Sequence, residues 1–226
     1  MSQRLEGLKR EDLKEFEPIW QTIEKTMGGF VPNSIFIMSH NIELMNGFGM
    51  LSAGVFRGAD ESRPNPLSAM FASLKNALKR LGKPKPDPIS RELRSLIFMA
   101  VSMSAGCRYC QAHSALIASN HGASSDKIDD LLNYEESPHF DDAERAAIAI
   151  AFAAGEVPNA ARADHFTALK AHYSTEQIVD IVAAIAYMGF LNRWNDTFAT
   201  ALEDAPLDFA SRNLEKVTWE AGKHVA

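Results

Sequence analysis

The sequence predicts an all-α protein. Apolar residues recur every three or four positions along most of the chain, and helix-capping side chains precede several of these segments. No segment alternates apolar and polar residues between turn residues, as a half-buried strand would. With 46% hydrophobic residues, a chain of 226 residues can bury a core without disulfide bonds.

The N-terminal portion is predicted to contain three helices. Leu13, Phe16 and Trp20 support the first by their helical spacing, and Pro32 with its neighbouring glycines prevents that helix from continuing. The second is long and rich in apolar residues. The third ends in basic residues, which suit the C-terminal end of a helix dipole. The predicted ranges are 11–26, 35–56 and 67–81.

A proline-rich segment follows these helices. Residues 82–88 read GKPKPDP, and prolines at alternate positions favour an extended path. We expect a joint at residues 83–88 that separates an N-terminal helical portion, 1–82, from a cysteine-bearing portion, 89–226. Both portions are expected to belong to one domain that covers residues 1–226.

Capping residues mark most of the helices predicted in the cysteine-bearing portion. Ser90 precedes the first of them, and Asp141 or Asp142 and Ser174 precede two later ones. Gly122 is expected to end the second, as glycine often does after a helix. The last helix has the weakest amphipathic pattern. The predicted ranges are 91–105, 107–120, 125–132, 143–154, 160–172, 176–202 and 207–225.

Charge and hydropathy exclude several classes of partner. The net charge of −6 argues against nucleic acid or an anionic membrane as the main partner. The longest apolar stretch, Ile178–Leu191, contains Asp180 and is shorter than the roughly 20 residues that span a bilayer. The first ten residues carry charge and have no apolar core typical of a signal peptide. We therefore expect a protein of the reducing cytoplasm, where a close cysteine pair is usually redox-active or metal-binding.

The two cysteines of the chain are three residues apart, in the segment CRYCQAH at residues 107–113. A helix that begins near Gly106 would place Cys107 at its N-terminal end, where free N–H groups and the dipole stabilise a thiolate. Cys110 would lie one turn deeper and be less exposed. His113, three residues further on, could accept or return a proton. This spacing favours a redox-active dithiol.

The two cysteines could instead be core residues or zinc ligands. Free cysteines are often simple core residues. A zinc site would take Cys107, Cys110 and His113, but no second cluster supplies a fourth ligand. The histidines that only remote folding could bring there are His121, His139, His165 and His172. We therefore expect neither a metal nor a bound organic cofactor.

A polar group interrupts the apolar segment near residue 190. Asn192, Arg193, Asn195 and Asp196 either line the thiol site or form a buried structural network, with an Arg193–Asp196 pair at the i, i+3 spacing. The structural interpretation is favoured, because buried polar groups generally find partners within the fold.

The cysteine motif in its helical setting resembles the carboxymuconolactone decarboxylase/AhpD-like superfamily. The matching features are a helix that ends in AVSMSAG at residues 100–106, CRYCQAH directly after it, and the alanine-rich segment that follows. The resemblance is strongest over residues 89–132. It also includes FVPN at 30–33, DDAER at 141–145 and FLNRWND at 190–196. The cysteine pair is similar to the alkylhydroperoxidase branch of the superfamily rather than to the decarboxylases.

The resemblance implies an AhpD-like helical bundle that assembles into dimers, trimers or hexamers. It also implies that Cys110 attacks a hydroperoxide, and that Cys107 resolves the sulfenic acid and meets an external dithiol reductant. A glutamate of the preceding helix and a nearby histidine would form a proton relay.

Serines occupy the usual positions of both relay residues, at Ser95 and Ser114. The expected substitutes are Glu92, one turn before the first position, and His113, one residue before the second. The favoured hypothesis is thus an AhpD-like peroxidase of the antioxidant type, with Cys107, Cys110, His113 and Glu92 as its catalytic residues. The alternative is a redox-sensing or partner-binding oligomer on the same fold that does not reduce peroxides.

Overall fold

The computed structural model describes residues 6–17, 20–21, 24, 31, 33–55, 89–217 and 219–225. The chain divides into two compact units, residues 1–87 and 88–226. Throughout the described ranges the regular elements are helices, which confirms the predicted all-α class. No helix in these ranges is long and apolar enough to cross a membrane. The predicted third helix, 67–81, and the predicted joint, 83–88, lie outside the described residues.

The first unit begins with a 3-10 helix, Arg10–Phe16, where the sequence predicted the start of an α-helix. Two α-helices follow it, α1 at Asn33–Met38 and α2 at Ile42–Val55. The prediction of a single helix over 35–56 is therefore wrong. The side chain of Asn41 accepts a hydrogen bond from the backbone N–H of Leu44 at 2.9 Å, so it caps α2 and starts a new helix.

A small apolar core holds the first unit together. Trp20 is fully buried at its centre, and its ring centroid lies 6.0 Å from that of Phe16 and 5.5 Å from that of Phe36. The other buried members are Leu13, Ile35, Ile42 and Met45. This core accounts for the helical spacing of the first apolar residues in the sequence.

The second unit contains seven α-helices, and most of their ends follow local capping signals. Ser90 caps the first through a 3.0 Å bond from the N–H of Leu93, as predicted. Asp141 forms a reciprocal capping box with Glu144. The helices are α3 Arg91–Ala105, α4 Arg108–Asn120, α5 Ser125–Asp129, α6 Asp142–Gly155, α7 Ala163–His172, α8 Thr175–Phe198 and α9 Asp204–Asn213.

Helix α3 lies at the centre of this unit, against α4, α6 and α8. Leu96, Ile97, Met99 and Ala100 on α3 have no exposed surface. Burying each of the larger side chains contributes about 1.5–3 kcal/mol of hydrophobic free energy. Gly106 joins α3 to α4 with φ at 76°, a left-handed conformation that glycine adopts without strain.

Two side-chain hydrogen bonds show that α3 and α4 run antiparallel. Gln111 near the start of α4 donates to the carbonyl of Ser102 at 3.1 Å, and His121 at its end lies 2.8 Å from the hydroxyl of Ser95. The cysteine motif therefore lies at the turn, and the start of α3 lies at the opposite end of the pair.

The C-terminal segment differs from its prediction. Helix α8 ends at Phe198 instead of residue 202, because Ala199 takes a left-handed conformation with φ at 47°. The predicted helix over 207–225 is also wrong, since α9 ends at Asn213 and short 3-10 turns follow it. The backbone N–H of Leu202 donates to the carbonyl of His224 at 2.8 Å, so the chain folds back onto the end of α8.

The contact between α3 and α6 leads to a stability prediction. A Cβ atom at Gly155 would lie 2.8 Å from the Cβ of Ser104. The hydroxyl of Ser104 is itself bonded to the carbonyl of Phe152 at 2.8 Å, so it has little freedom to move. We expect Gly155→Ala to lower the free energy of unfolding by about 1–3 kcal/mol, as overpacked cores generally do. Urea titration followed by circular dichroism measures this change.

Gly189→Ala is the matched control. Gly189 lies within α8 and has no heavy atom within 4 Å of the position that its Cβ would take. Alanine there should raise the stability by up to about 1 kcal/mol through helix propensity. Equal stability of the two variants would contradict the close approach of α3 and α6.

Candidate active site

The turn between α3 and α4 holds both cysteines. Cys107 is the residue that precedes the first turn of α4, and Cys110 lies within that turn, so the predicted position at a helix start is confirmed. Both thiols are free. Cys107 has no exposed surface, and Cys110 is 3% exposed. Both cysteines are therefore buried, and the expected difference in exposure between them is not found.

Hydrogen bonding makes the two sulfurs chemically different. The thiol of Cys110 donates a hydrogen bond to the sulfur of Cys107, and backbone N–H groups at the start of α4 add to it. This lowers the pKa of Cys107 to about 7, even though burial and the charge of Asp196 oppose the shift. The pKa of Cys110 is raised, first by that hydrogen bond and then by burial. Of the two thiols, Cys107 is the one whose pKa is lowered.

Helix α8 contributes two polar residues to the pair. The side-chain amide of Asn195 lies 3.6 Å from the sulfur of Cys110, and the hydroxyl of Thr200 donates to the oxygen of that amide at 3.1 Å. The carboxylate of Asp196 lies beside Cys107. Oδ2 of this carboxylate forms an ion pair with the ammonium of Lys223 at 2.9 Å, and not with Arg193 as the sequence suggested. For Asn195 and Asp196, the geometry supports the interpretation in which they line the thiol site.

His224 lies beside the thiols, and sequence reasoning missed it. It lies in the 3-10 turn Gly222–His224 and is 1% exposed. The sulfur of Cys107, a carboxylate oxygen of Asp196 and a ring nitrogen of His224 all lie within 4.8 Å of one another. No local pattern around residue 224 indicates a site, because only the fold-back of the C-terminal segment brings this imidazole to the thiols.

The cluster formed by Cys107, Asp196 and His224 could also hold a metal. Thiolate, carboxylate and imidazole are all ligands that zinc accepts. Of these three residues, only Cys107 also belongs to the zinc site that the sequence offers, which would use Cys107, Cys110 and His113. The expected absence of a metal stays a prediction.

His113 lies at the edge of the site and binds Glu203, a residue that the sequence did not single out. Its Nε2 lies 2.8 Å from the carboxylate, and its ring stacks on Tyr109 with centroids 4.3 Å apart. The hydroxyl of Tyr109 donates to the same carboxylate at 3.1 Å. Burial, followed by this bond, raises the pKa of Tyr109 to about 12. The acid that accompanies His113 is therefore Glu203.

Glu92 is placed away from the cysteines. Its carboxylate lies 2.9 Å from the ammonium of Lys127, which also binds Glu144. Because a helix rises about 1.5 Å per residue, Glu92 lies roughly 20 Å along α3 from the end of that helix at Ala105. The structure does not bring Glu92 to the thiols, and its ion pair with Lys127 ties it to the opposite end of the helix pair.

A model of the family described as "Carboxymuconolactone decarboxylase family" matches residues 67–153. The chain is 30% identical to the debrominase Bmp8, seen as a cysteine-to-alanine variant in complex with 2,3,4-tribromopyrrole. That match covers 94% of this chain and 98% of Bmp8, with a TM-score of 0.52. The apo form of Bmp8 matches at 30% identity over 96% and 99% of the two chains, with a TM-score of 0.51.

Two further relatives are similar over shorter stretches. The uncharacterised protein YnjA of Escherichia coli strain K12 is 27% identical over 111 residues, which is 49% of this chain and 61% of YnjA. A protein of unknown function from Agrobacterium tumefaciens, assigned to AhpD-type antioxidant defence, is 24% identical. Its match covers 65% of this chain and 96% of that protein, with a TM-score of 0.46.

Proposed function

Because the chain belongs to the carboxymuconolactone decarboxylase family, we propose that it is a dithiol-dependent reductase that reduces hydroperoxides. The observation that carries this proposal is the asymmetric thiol pair at the start of α4. The pKa of Cys107 is lowered and that of Cys110 is raised, and the thiol of Cys110 is hydrogen-bonded to the sulfur of Cys107. A low-pKa thiolate is the nucleophile that peroxides react with, and a second thiol in contact can complete a disulfide.

The proposed reduction of a hydroperoxide has three steps. The sulfur of Cys107 attacks one peroxide oxygen, the O–O bond breaks, and the alcohol leaves with one proton. The sulfenic acid that remains on Cys107 reacts with the thiol of Cys110, which forms the disulfide and releases water. An external dithiol then reduces the disulfide by exchange and is itself oxidised.

This assignment reverses the roles that the resemblance implied for the two cysteines. A nucleophilic Cys110 would need its pKa lowered, whereas the neighbouring Cys107 and burial raise it. Cys107 combines the lowered pKa with the position at the helix start. Both sulfurs are almost fully buried, which favours a small substrate.

A second candidate is reductive debromination, which the 30% identity to Bmp8 over 94% of the chain favours. Here the thiolate of Cys107 attacks the bromine of a bromoarene, and the ring carbon takes up a proton as the carbon–bromine bond breaks. The thiol of Cys110 then displaces bromide from the sulfenyl bromide, which forms the same disulfide. The two reactions share every thiol step and differ only in the atom transferred to sulfur.

A substrate comparison tests these proposals. The purified chain is supplied with dithiothreitol and, in separate assays, hydrogen peroxide, cumene hydroperoxide or 2,3,4-tribromopyrrole. Loss of peroxide and release of bromide are measured against the same protein alkylated at both cysteines. We expect many turnovers per chain with a hydroperoxide and none after alkylation.

The three hypotheses give different results in this comparison. Bromide release without peroxide turnover would replace the first candidate by the second. Formation of one disulfide per chain with every oxidant, followed by no turnover in the presence of dithiothreitol, would contradict both enzymes. That last result would support the redox-sensing alternative.

A further inference from the structure

The hydrogen bonds of His224 determine which of its ring nitrogens carries a proton. Nδ1 lies 2.8 Å from the backbone carbonyl of Thr200. A carbonyl oxygen only accepts hydrogen bonds, so Nδ1 is the N–H of the neutral ring. Nε2 is buried and has no hydrogen-bond partner among the described residues. Its lone pair is directed into the cluster with Asp196 and Cys107.

The groups that face this nitrogen are a carboxylate and the sulfur of Cys107, which is an acceptor once it has lost its proton. Oδ1 of Asp196 lies 3.6 Å from Nε2, and the sulfur of Cys107 belongs to the same 4.8 Å cluster. The imidazole and the sulfur are buried, whereas the carboxylate of Asp196 is half-exposed. A lone pair, a carboxylate and a thiolate that converge repel one another unless a positive charge lies between them. A proton on Nε2 supplies that charge and gives the nitrogen a donor for either neighbour.

We propose that His224 is the proton carrier of Cys107, taking the thiol proton at Nε2 and returning it to the group that leaves when the sulfur attacks. This inference rests on the proposed function and adds to it the source of the proton. In the peroxide reaction the proton goes to the departing alkoxide. In the debromination it goes to the ring carbon. The sulfur and the imidazole each return to their starting protonation once the disulfide has been reduced.

Asp196 and Thr200 are positioning residues for this carrier. The carbonyl of Thr200 selects the tautomer, and its hydroxyl orients Asn195 beside the other cysteine. The carboxylate of Asp196 stabilises an imidazolium through Oδ1, which faces His224. Its other oxygen, Oδ2, forms an ion pair with the ammonium of Lys223 at 2.9 Å. The fold-back bond between Leu202 and the His224 carbonyl fixes the backbone of the carrier. A Cys–His–Asp arrangement of this kind is the general form of an activated thiol nucleophile.

The charged and titratable groups around Cys107 come from three elements. Cys110 and Tyr109 lie on α4, Asp196 lies on α8, and the C-terminal segment supplies His224 and, through Asp196, Lys223. Asp196 raises the pKa of Cys107, so it cannot be the group that activates the thiol. Within this set, the imidazole is the member that can hold a proton removed from sulfur.

The test measures alkylation of Cys107 by iodoacetamide as a function of pH, quantified by peptide mass spectrometry, with no substrate present. In the wild-type chain the rate should rise with pH through about 7, since the thiolate reacts. Because the hydrogen bond from Cys110 to the sulfur of Cys107 remains in His224→Asn, we expect the midpoint to rise by less than one unit and the rate at pH 7 to fall about two- to fivefold. His172→Asn, on an exposed histidine at the end of α7, is the matched control and should follow the wild type.

The choice of asparagine separates proton transfer from structural support. Its side-chain N–H₂ can take the place of Nδ1 and keep the bond to Thr200, but it has no basic nitrogen at the position of Nε2. A structural role would therefore be rescued in His224→Asn, and an unchanged alkylation profile would overturn the proposal. His224→Gln, which has no group at the Nδ1 position, should move the midpoint in the same direction.

Two further results distinguish this inference from the proposed function. A shifted alkylation profile in a chain that turns over neither peroxide nor bromopyrrole would keep the proton carrier and overturn the enzymatic proposal. One zinc ion per purified chain, released when the thiols are oxidised, would overturn the proton carrier. In that case a metal ion, and not a proton, would join Cys107, Asp196 and His224.

Discussion

Replacing Cys107 by serine is expected to abolish turnover, with a loss of roughly three orders of magnitude or more. The hydrogen bond from Cys110 lowers the pKa of the Cys107 thiol, so this thiol ionises far more readily than a serine hydroxyl. Serine is also close in size to cysteine, so it fits the fully buried position. The measurement is steady-state peroxide consumption with dithiothreitol, and bromide release if that activity is present.

The same variant contains its own control at Cys110. The pKa of Cys110 is raised chiefly by its hydrogen bond to Cys107 and by the charge there. Removing that sulfur should lower the pKa of Cys110, so Cys110 should be alkylated faster at pH 8 in Cys107→Ser than in the wild type. Turnover at the wild-type rate in Cys107→Ser would show that Cys110 is the nucleophile, as the resemblance to the family implied.

Replacing Cys110 by serine is expected to stop the cycle after one turnover. Cys107 still attacks the peroxide, but no second thiol is in contact to form the disulfide, so a sulfenic acid remains at position 107. A burst of one peroxide per chain, followed by slow turnover, is the expected kinetic result. Dimedone labelling with peptide mass spectrometry should place the sulfenic acid on Cys107.

Cys110→Ala is the matched comparison, because it separates two functions of the second thiol. Serine at this position retains a donor for the sulfur of Cys107, and alanine does not. The hydrogen bond from Cys110 is the largest cause of the low pKa of Cys107. We therefore expect the pKa of Cys107 to rise in Cys110→Ala and to change less in Cys110→Ser. Equal burst rates at pH 6 in the two variants would contradict this account of the thiolate.

The helices around the thiols could be predicted because their ends depend on neighbouring residues. Helix α3 spans Arg91–Ala105 as predicted, since Ser90 caps its start and Gly106 ends it with a left-handed turn. The same local signals placed Cys107 at the start of α4. Periodicity alone predicted less well over residues 35–56, because an apolar repeat does not reveal that Asn41 caps a new helix.

The acids and imidazoles near the thiols could not be predicted in the same way. The resemblance to the family predicts Glu92 at the thiols, as the substitute for a relay acid at Ser95, but α3 carries Glu92 away from the turn toward Lys127. His113 was identified as a candidate, while its partner Glu203 comes from the start of α9, far along the chain. His224 had no sequence signal at all. Its position depends on contacts with Thr200 and Leu202, which form only when the C-terminal segment folds back.

The amino-acid sequence by itself determined the helical class and the two sulfurs one turn apart at a helix start, because periodicity, caps and i, i+3 spacing act within a few residues. The tertiary structure decided which thiol has the lowered pKa and which acid and imidazole lie beside it. Those properties depend on burial and on atoms of α8 and the C-terminal segment lying within a few ångströms. Electrostatic and hydrogen-bond energies change steeply over such distances, and sequence separation does not report them.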